Sequence, residues 1–360
     1  MKKYRFIIFL TISFLWIVSC KKEQDQPISP SVGKYETGEF IINEGNFGKG
    51  NGSISYLNTE KQEVIPNIFQ LENDRNLGDV VQSMLIIDDK AYIAVNNSNK
   101  IEIVDSRSFK ELGVLENMPL VRYVVRTGQA TACASLWGNS GQVVYFNTNN
   151  YEVIKSIPVG NGPEGMIHLY SKLFVANSGG LDVDHTVSVI SDDAKDGIVN
   201  IEVGYSPKQF VFDTYGMLWV LCSGTGSWSS VGVKPSKLVQ INPINLEVVQ
   251  EVNLFEDLQI GSMGIDPTGT VIVVGGGYGV NGLYKVFVKH PEPPAEAFIS
   301  GDFYGFSIDD ANGDIYIADA GDYMNVGSIH HYTFQGEKLN DLVAGIIPNG
   351  VYFRLPVAIE

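Results

Sequence analysis

Cysteine is scarce in this 360-residue chain: there are three, Cys20, Cys133 and Cys222. No CxxC pair and no Cys/His cluster occurs, so the spacing of a zinc site or a dithiol centre is missing. Cys133 in ATACASLW and Cys222 in LWVLCSG fall inside apolar runs and read as buried free thiols. Positive charge is short too, with 25 Lys and Arg against 41 Asp and Glu and a net charge of −16. A nucleic acid would find no basic footprint. There are five histidines and no GxSxG, HExxH or Walker loop, so the residues assemble no catalytic centre and the protein reads as a non-enzyme. The Gly-rich run GGGYGVNG (275–282) joins two strand-like segments and opens no helix, which removes the setting a nucleotide cofactor needs. No cofactor or metal is expected. Beyond the N-terminus, helical periodicity is never sustained, which excludes bundles and coiled coils.

What is present begins with a targeting signal. Residues 1–20 read MKKYRFIIFLTISFLWIVSC. Lys2, Lys3 and Arg5 form a positive n-region, followed by an apolar stretch too short to span a bilayer comfortably. Ile17-Val18-Ser19-Cys20 resembles a bacterial lipobox, which implies cleavage before Cys20 and lipidation of Cys20. Residues 1–19 are then a lipoprotein signal peptide, 20–38 a lipidated tether containing QPISPSVGK, and 39–360 the folded domain. The expected location is the outer membrane, at the cell surface or on the periplasmic face, with membrane contact through the lipid anchor alone. The run Lys21-Lys22-Glu23-Gln24-Asp25 is similar to the charged tags that send Bacteroidetes lipoproteins to the surface; a solvated linker is the other reading.

The remainder is built from short alternating segments such as KAYIAV, QVVYFN, TVSVIS, MLWVLC and DIYIAD, bounded by Gly, Asn, Asp and Pro. They fall into a repeat: a strand, a tight turn, a second strand, then a Gly/Asn-rich loop. Equivalent apolar positions are Met84, Val124, Met166, Phe210, Met263, Phe306 and Val351, at intervals of about 40–53 residues, the length of a propeller blade. Asn58, Asp105, Asn147 and Asn242 open Asx turns between third and fourth strands. The first ordered segment aligns with second and third strands, and PNGVYFRL supplies the missing first strand. The spacing predicts an all-β, seven-bladed β-propeller of four-stranded blades, its ring closed by a C-terminal strand.

Two stretches carry a family resemblance. IPVGNGPEGMIHLYSKLFVANSGG and the HTVSVIS after it (157–191) resemble the repeat of YncE-like seven-bladed propellers. FIINEGNFGKGNGSISYLN (40–58) resembles the opening of a Bacteroidetes lipoprotein subset that includes cell-surface cobalamin-binding proteins. The resemblance implies a surface or periplasm-facing lipoprotein. It would bind a small nutrient or cofactor, a corrinoid such as cobalamin, for uptake through an outer-membrane transporter. A second reading stays open: a propeller scaffold for an envelope protein or glycan, with no small-molecule ligand.

Propeller topology gathers two sets of loops on one face. Loops between second and third strands carry Asn46, Phe47, Asn97, Trp137, Asn139, Asn177, Trp228, Tyr278 and Tyr323. Segments entering the first strands bring Gln82, Arg122, Glu164, Lys208, Tyr304 and Asn349 to the channel mouth. Large aromatics are unusual in Gly/Asn loops, and amides both donate and accept, so this face is the expected ligand site. Arg122, Lys208 and Tyr304 join the loop residues as binding candidates. Asp182, Asp184 and His185, and Asp319 with Asp322, could offer metal ligands but read first as Asx-turn acids.

Overall fold

The computed structural model describes residues 33–193, 197–277 and 279–354. The signal peptide, Cys20 and its lipidation, most of the tether, and Tyr278 lie outside the described residues. Among those described, 28 strands form seven four-stranded antiparallel sheets. Each sheet is one blade: blade 2 (81–115), blade 3 (121–158), blade 4 (163–202), blade 5 (207–255), blade 6 (262–300) and blade 7 (305–346) each use consecutive strands. Blade 1 is composite. The C-terminal strand Pro348–Tyr352 is its innermost member, followed by Glu39–Asn43, Ser53–Asn58 and Glu63–Ile65. The register pairs Phe40 with Tyr352, Ile41 with Val351 and Ile42 with Gly350. The ring therefore closes as the repeat predicts, and all seven apolar markers sit in innermost strands.

Strand chemistry explains the ring. A second strand such as Leu218–Cys222 is buried along its whole length, because both faces meet a neighbouring blade. Trp219 and Leu221 point into the cluster with blade 6, while Val220 and Cys222 point into the cluster with blade 4. Seven hydrophobic clusters result, one at each blade interface. Cys133 and Cys222 are buried free thiols as expected, and burial pushes the Cys222 thiol up to about 12. The Asx turns also stand: Asp105 Oδ1 accepts the backbone N–H of Arg107 and Ser108, and Asn147 Oδ1 that of Asn149 at 2.8 Å.

Two features at the blade 1–blade 2 interface lack a sequence signal. A six-residue helix, Ile68–Asn73, wedges Ile68 and Phe69 into the core. Its two buried residues are adjacent and six residues are too few to show a period, so no periodicity marks it. Packing also reaches back ahead of residue 39. Tyr35 is fully buried edge-on against Tyr56, and its hydroxyl donates to Glu72 Oε1 at 2.7 Å.

Arg354 fastens the closure. Its guanidinium donates to the carbonyls of Tyr35 and Ser106, and its backbone N–H donates to Glu39 Oε2 at 2.8 Å. Burial pushes the Glu39 carboxyl from about 4.5 up to about 7, against the lowering effect of that N–H. Between those values the folded chain keeps a proton the unfolded chain has lost, so this group makes stability fall as pH rises. Glu39→Gln is expected to gain on the wild type between about pH 5 and pH 8 in urea midpoints. Parallel pH profiles would assign the proton elsewhere.

Candidate functional site

The channel mouth is made by β-bulges. In blade 2, Val81 pairs with Val95 and Ser83 with Ala94, leaving Gln82 as the extra residue. The same slip occurs between Val121 and Val124, between Pro163 and Met166, and between Pro207 and Gln209. The closing strand repeats it, with Gly350 opposite Ile42 and Pro348 opposite Asn43. The bulged residues are Gln82, Arg122 and Tyr123, Glu164 and Gly165, Lys208, and Asn349. A bulge re-aims a side chain that would otherwise alternate into the blade interface. Here it turns them to the channel: Gln82, Arg122, Tyr123, Glu164, Lys208 and Asn349 line one cavity of about 380 Å³, with Tyr304 and Glu44. The wall is tight. A Cβ on Gly165 would lie 2.5 Å from the Lys208 carbonyl oxygen, so only glycine lets these two innermost strands approach.

The charges in this cavity are unequally satisfied. Arg122 donates in bidentate fashion to Glu164, Nε to Oε2 at 3.1 Å and Nη2 to Oε1 at 3.0 Å, and Nη1 donates to Gln82 Oε1 at 2.5 Å. Its guanidinium also stacks 4.3 Å from the centroid of the Trp137 ring. Both partners are well buried, with side chains 16% and 5% exposed. Glu44 accepts from the Tyr304 hydroxyl at 2.9 Å and from Asn349 Nδ2 at 3.1 Å. Burial pushes the Glu44 carboxyl up, and these two donors only partly oppose it. Lys208 makes no hydrogen bond or ion pair among the described residues, and burial pushes its ammonium below its ordinary value despite the pull of Glu164.

The loop candidates divide. Trp137 reaches the mouth through Arg122, and Tyr304 meets Tyr323 edge-on with centroids 5.8 Å apart. Asn46 Nδ2 donates to the Tyr323 carbonyl at 2.6 Å, tying the blade 1 loop to the blade 7 loop. Phe47 and Trp228 are 75% and 73% exposed, and Tyr323 is 45% exposed. Asn139 is exposed in a short turn and takes a left-handed φ of 57°, a backbone duty that suits asparagine. Asn97 is committed to Asp79, donating to its Oδ2 at 2.5 Å. Asn177 is placed differently from the expectation. It is fully buried and donates to Thr186 Oγ1 and Ser188 Oγ, because it ends a second strand facing inward. It braces blade 4 and does not face the channel.

The acidic loops behave as Asx turns. Asp184 accepts the backbone N–H of Thr186 through Oδ1 and that of Asn161 through Oδ2. Asp322 accepts from Met324 and Asn325. No three metal-ligating side chains converge among the described residues.

Glu44 and Tyr123 are among the lining residues that sequence reading missed. Glu44 follows the end of its second strand, where the other six blades carry Asn96, Trp137, Ser178, Ser223, Gly276 and Ala320. Aligning that position would have exposed it as the one carboxylate of the seven.

Against solved structures, the likeness is one of fold. A quinonprotein alcohol dehydrogenase-like protein from Bacteroides thetaiotaomicron superposes with a TM-score of 0.68 at 15% identity, covering 89% of this chain and 78% of that one. A functionally unknown protein from Desulfotomaculum acetoxidans gives 0.65 at 11% identity, covering 89% and 99%. A streptogramin B lyase gives 0.56 at 11% identity, covering 87% and 91%. No curated protein matches the sequence. The family model DUF5074, described as a domain of unknown function, matches residues 37–342.

Proposed function

Because the chain belongs to the DUF5074 family, whose description names no activity, we propose its role from the channel mouth: it is a binding protein and not an enzyme. It takes a small organic ligand at the mouth. Anchored through lipidated Cys20 in the outer membrane, it passes that ligand to a transporter. One observation carries the reading. Five innermost strands each break their pairing at the same end, and the bulged side chains converge on one cavity beside an Arg122–Trp137 stack. None of those side chains belongs to a hydrophobic cluster between blades.

A corrinoid such as cobalamin is the ligand the lipoprotein resemblance favours. A cavity of about 380 Å³ admits a side arm and not a macrocycle. A corrin ring would therefore lie across the rim against Trp137 and Tyr323, with an amide-bearing arm in the channel. Exposed Phe47 and Trp228 favour the second reading, a protein or glycan docked on the same face.

Calorimetric titration of the soluble body with cobalamin, cobinamide and haem separates these. Corrinoid binding, weakened about 30-fold by Trp137→Ala, is the expected result, in line with about 2 kcal/mol for an aromatic anchor. Trp228→Ala is expected to weaken binding while leaving the melting temperature unchanged, since the ring is 73% exposed. Binding of none of the three, with capture of an envelope protein on this face, would select the scaffold. Release of Cys20→Ala from the membrane fraction is the check on the anchor.

A further inference from the structure

Among the described residues Lys208 is a cation with no hydrogen-bonded or ion-paired partner, in a cavity where Arg122, Glu164 and Glu44 are each hydrogen-bonded and the two carboxyl groups act on it only from a distance. Arg122 is spent on Glu164, and Glu44 is held by two neutral donors, Tyr304 and Asn349. Lys208 stands on the bulge that opens blade 5 and has no hydrogen bond or ion pair among the described residues. Its bulge matches those carrying Arg122 and Glu164, and a side chain re-aimed into the blade interface would have met apolar partners. Lys208 is half-buried, so its ammonium has lost part of its hydration without gaining a partner, and an incoming counter-ion recovers that free energy.

We propose that Lys208 is the counter-ion for a singly charged carboxylate on the ligand, received in the channel that Lys208 lines. This rests on the channel mouth being the ligand site and adds the charge of the group that enters it. The geometry favours a monoanion over a phosphate monoester. A phosphate near −2 needs several donors, whereas among the described residues this cavity offers one cation without a direct partner and holds two carboxyl groups, Glu44 and Glu164, that repel a dianion. The lowered affinity of Lys208 for its proton fits an ammonium waiting for a partner and reverses when one arrives.

The test uses benzoate, its neutral isostere benzamide and inorganic phosphate, titrated into the soluble body with the lysine ¹³Cε resonances as readout. Lys208 is assigned by its absence in Lys208→Met. Benzoate is expected to move the Lys208 resonance and raise its titration midpoint. Benzamide should do neither, and phosphate should bind at least tenfold more weakly than benzoate. Lys208→Met and Lys208→Gln are expected to lose benzoate affinity at least tenfold while melting no lower than the wild type. Equal responses to benzoate and benzamide, no response to benzoate, or undiminished benzoate binding in both variants would each overturn the assignment. Phosphate binding tighter than benzoate would overturn the preference for a monoanion. Corrinoid binding that is lost in Trp137→Ala but unchanged in Lys208→Met would leave the ligand site standing and remove the carboxylate; benzoate binding that depends on Lys208, with no corrinoid bound by the wild type, would keep the carboxylate and remove the corrinoid.

Discussion

A chain lacking residues 349–360 is expected to lose its cooperative melting transition or to melt at least about 6 °C lower. The deletion takes out most of the innermost strand of blade 1. It uncovers the backbone edge of Glu39–Asn43, which pairs with that strand in the intact ring. Val351 leaves a cluster shared with blade 7, a loss of about 2 kcal/mol at ordinary values for an aliphatic side chain. The Tyr352 hydroxyl no longer accepts the backbone N–H of Ile86 at 2.9 Å, so blade 2 loses a tie as well. Arg354 goes too, and with it the links to Tyr35 and Ser106. Together these exceed about 4 kcal/mol, which in a domain of this size corresponds to roughly 6 °C or more. The uncovered edge is also a pairing template, so aggregation should accompany the loss. An unchanged melting temperature would refute closure by this strand.

Glu164→Ala should be among the most damaging single substitutions at the mouth. It leaves the Arg122 guanidinium buried with only Gln82 and the Trp137 face for company. Breaking one side of a buried ion pair costs about 3–5 kcal/mol, and channel water places this case near the lower end. Replacing both partners, Arg122→Met with Glu164→Met, is expected to recover most of the loss, because no uncompensated charge remains. Urea unfolding of the two single variants and the double variant gives the cycle. Additive losses would show that the pair is not coupled and that Arg122 is solvated independently.

The order of the strands was readable because each blade repeats one pattern of alternation and turn. Met84 and its six counterparts mark innermost strands, and the extra C-terminal segment has only one vacant place in the ring. The mouth residues Gln82, Arg122, Glu164, Lys208, Tyr304 and Asn349 were readable for the same reason, since topology alone brings the starts of first strands together. What alternation cannot report is where a side chain points once pairing slips. Asn177 and Trp137 both belong to loop-leading positions, yet one turns into blade 4 and the other lies under Arg122. Both contacts are made across strands of one blade, Asn177 with Ser188 and Trp137 with Arg122, so alternation along a single strand does not specify them. Tyr35 and Phe69 were hidden for another reason: each sits in a polar segment and is buried by blades that the segment merely crosses.

The bulges have a consequence for how this fold can change over generations. A residue inserted out of register takes no part in the ladder of its sheet, and its side chain meets no interface cluster. Substitution there disturbs folding least where the bulged side chain has no direct partner, as at Lys208, and more where it is tied, as at Arg122 with Glu164, Gln82 with Arg122 and Asn349 with Glu44, or where only glycine fits, as at Gly165. Lineages can therefore exchange the chemistry of the mouth blade by blade, with Lys208 as the least constrained of its charged positions. Divergence in specificity should then outrun divergence in architecture, leaving relatives that share the ring and differ in what they hold.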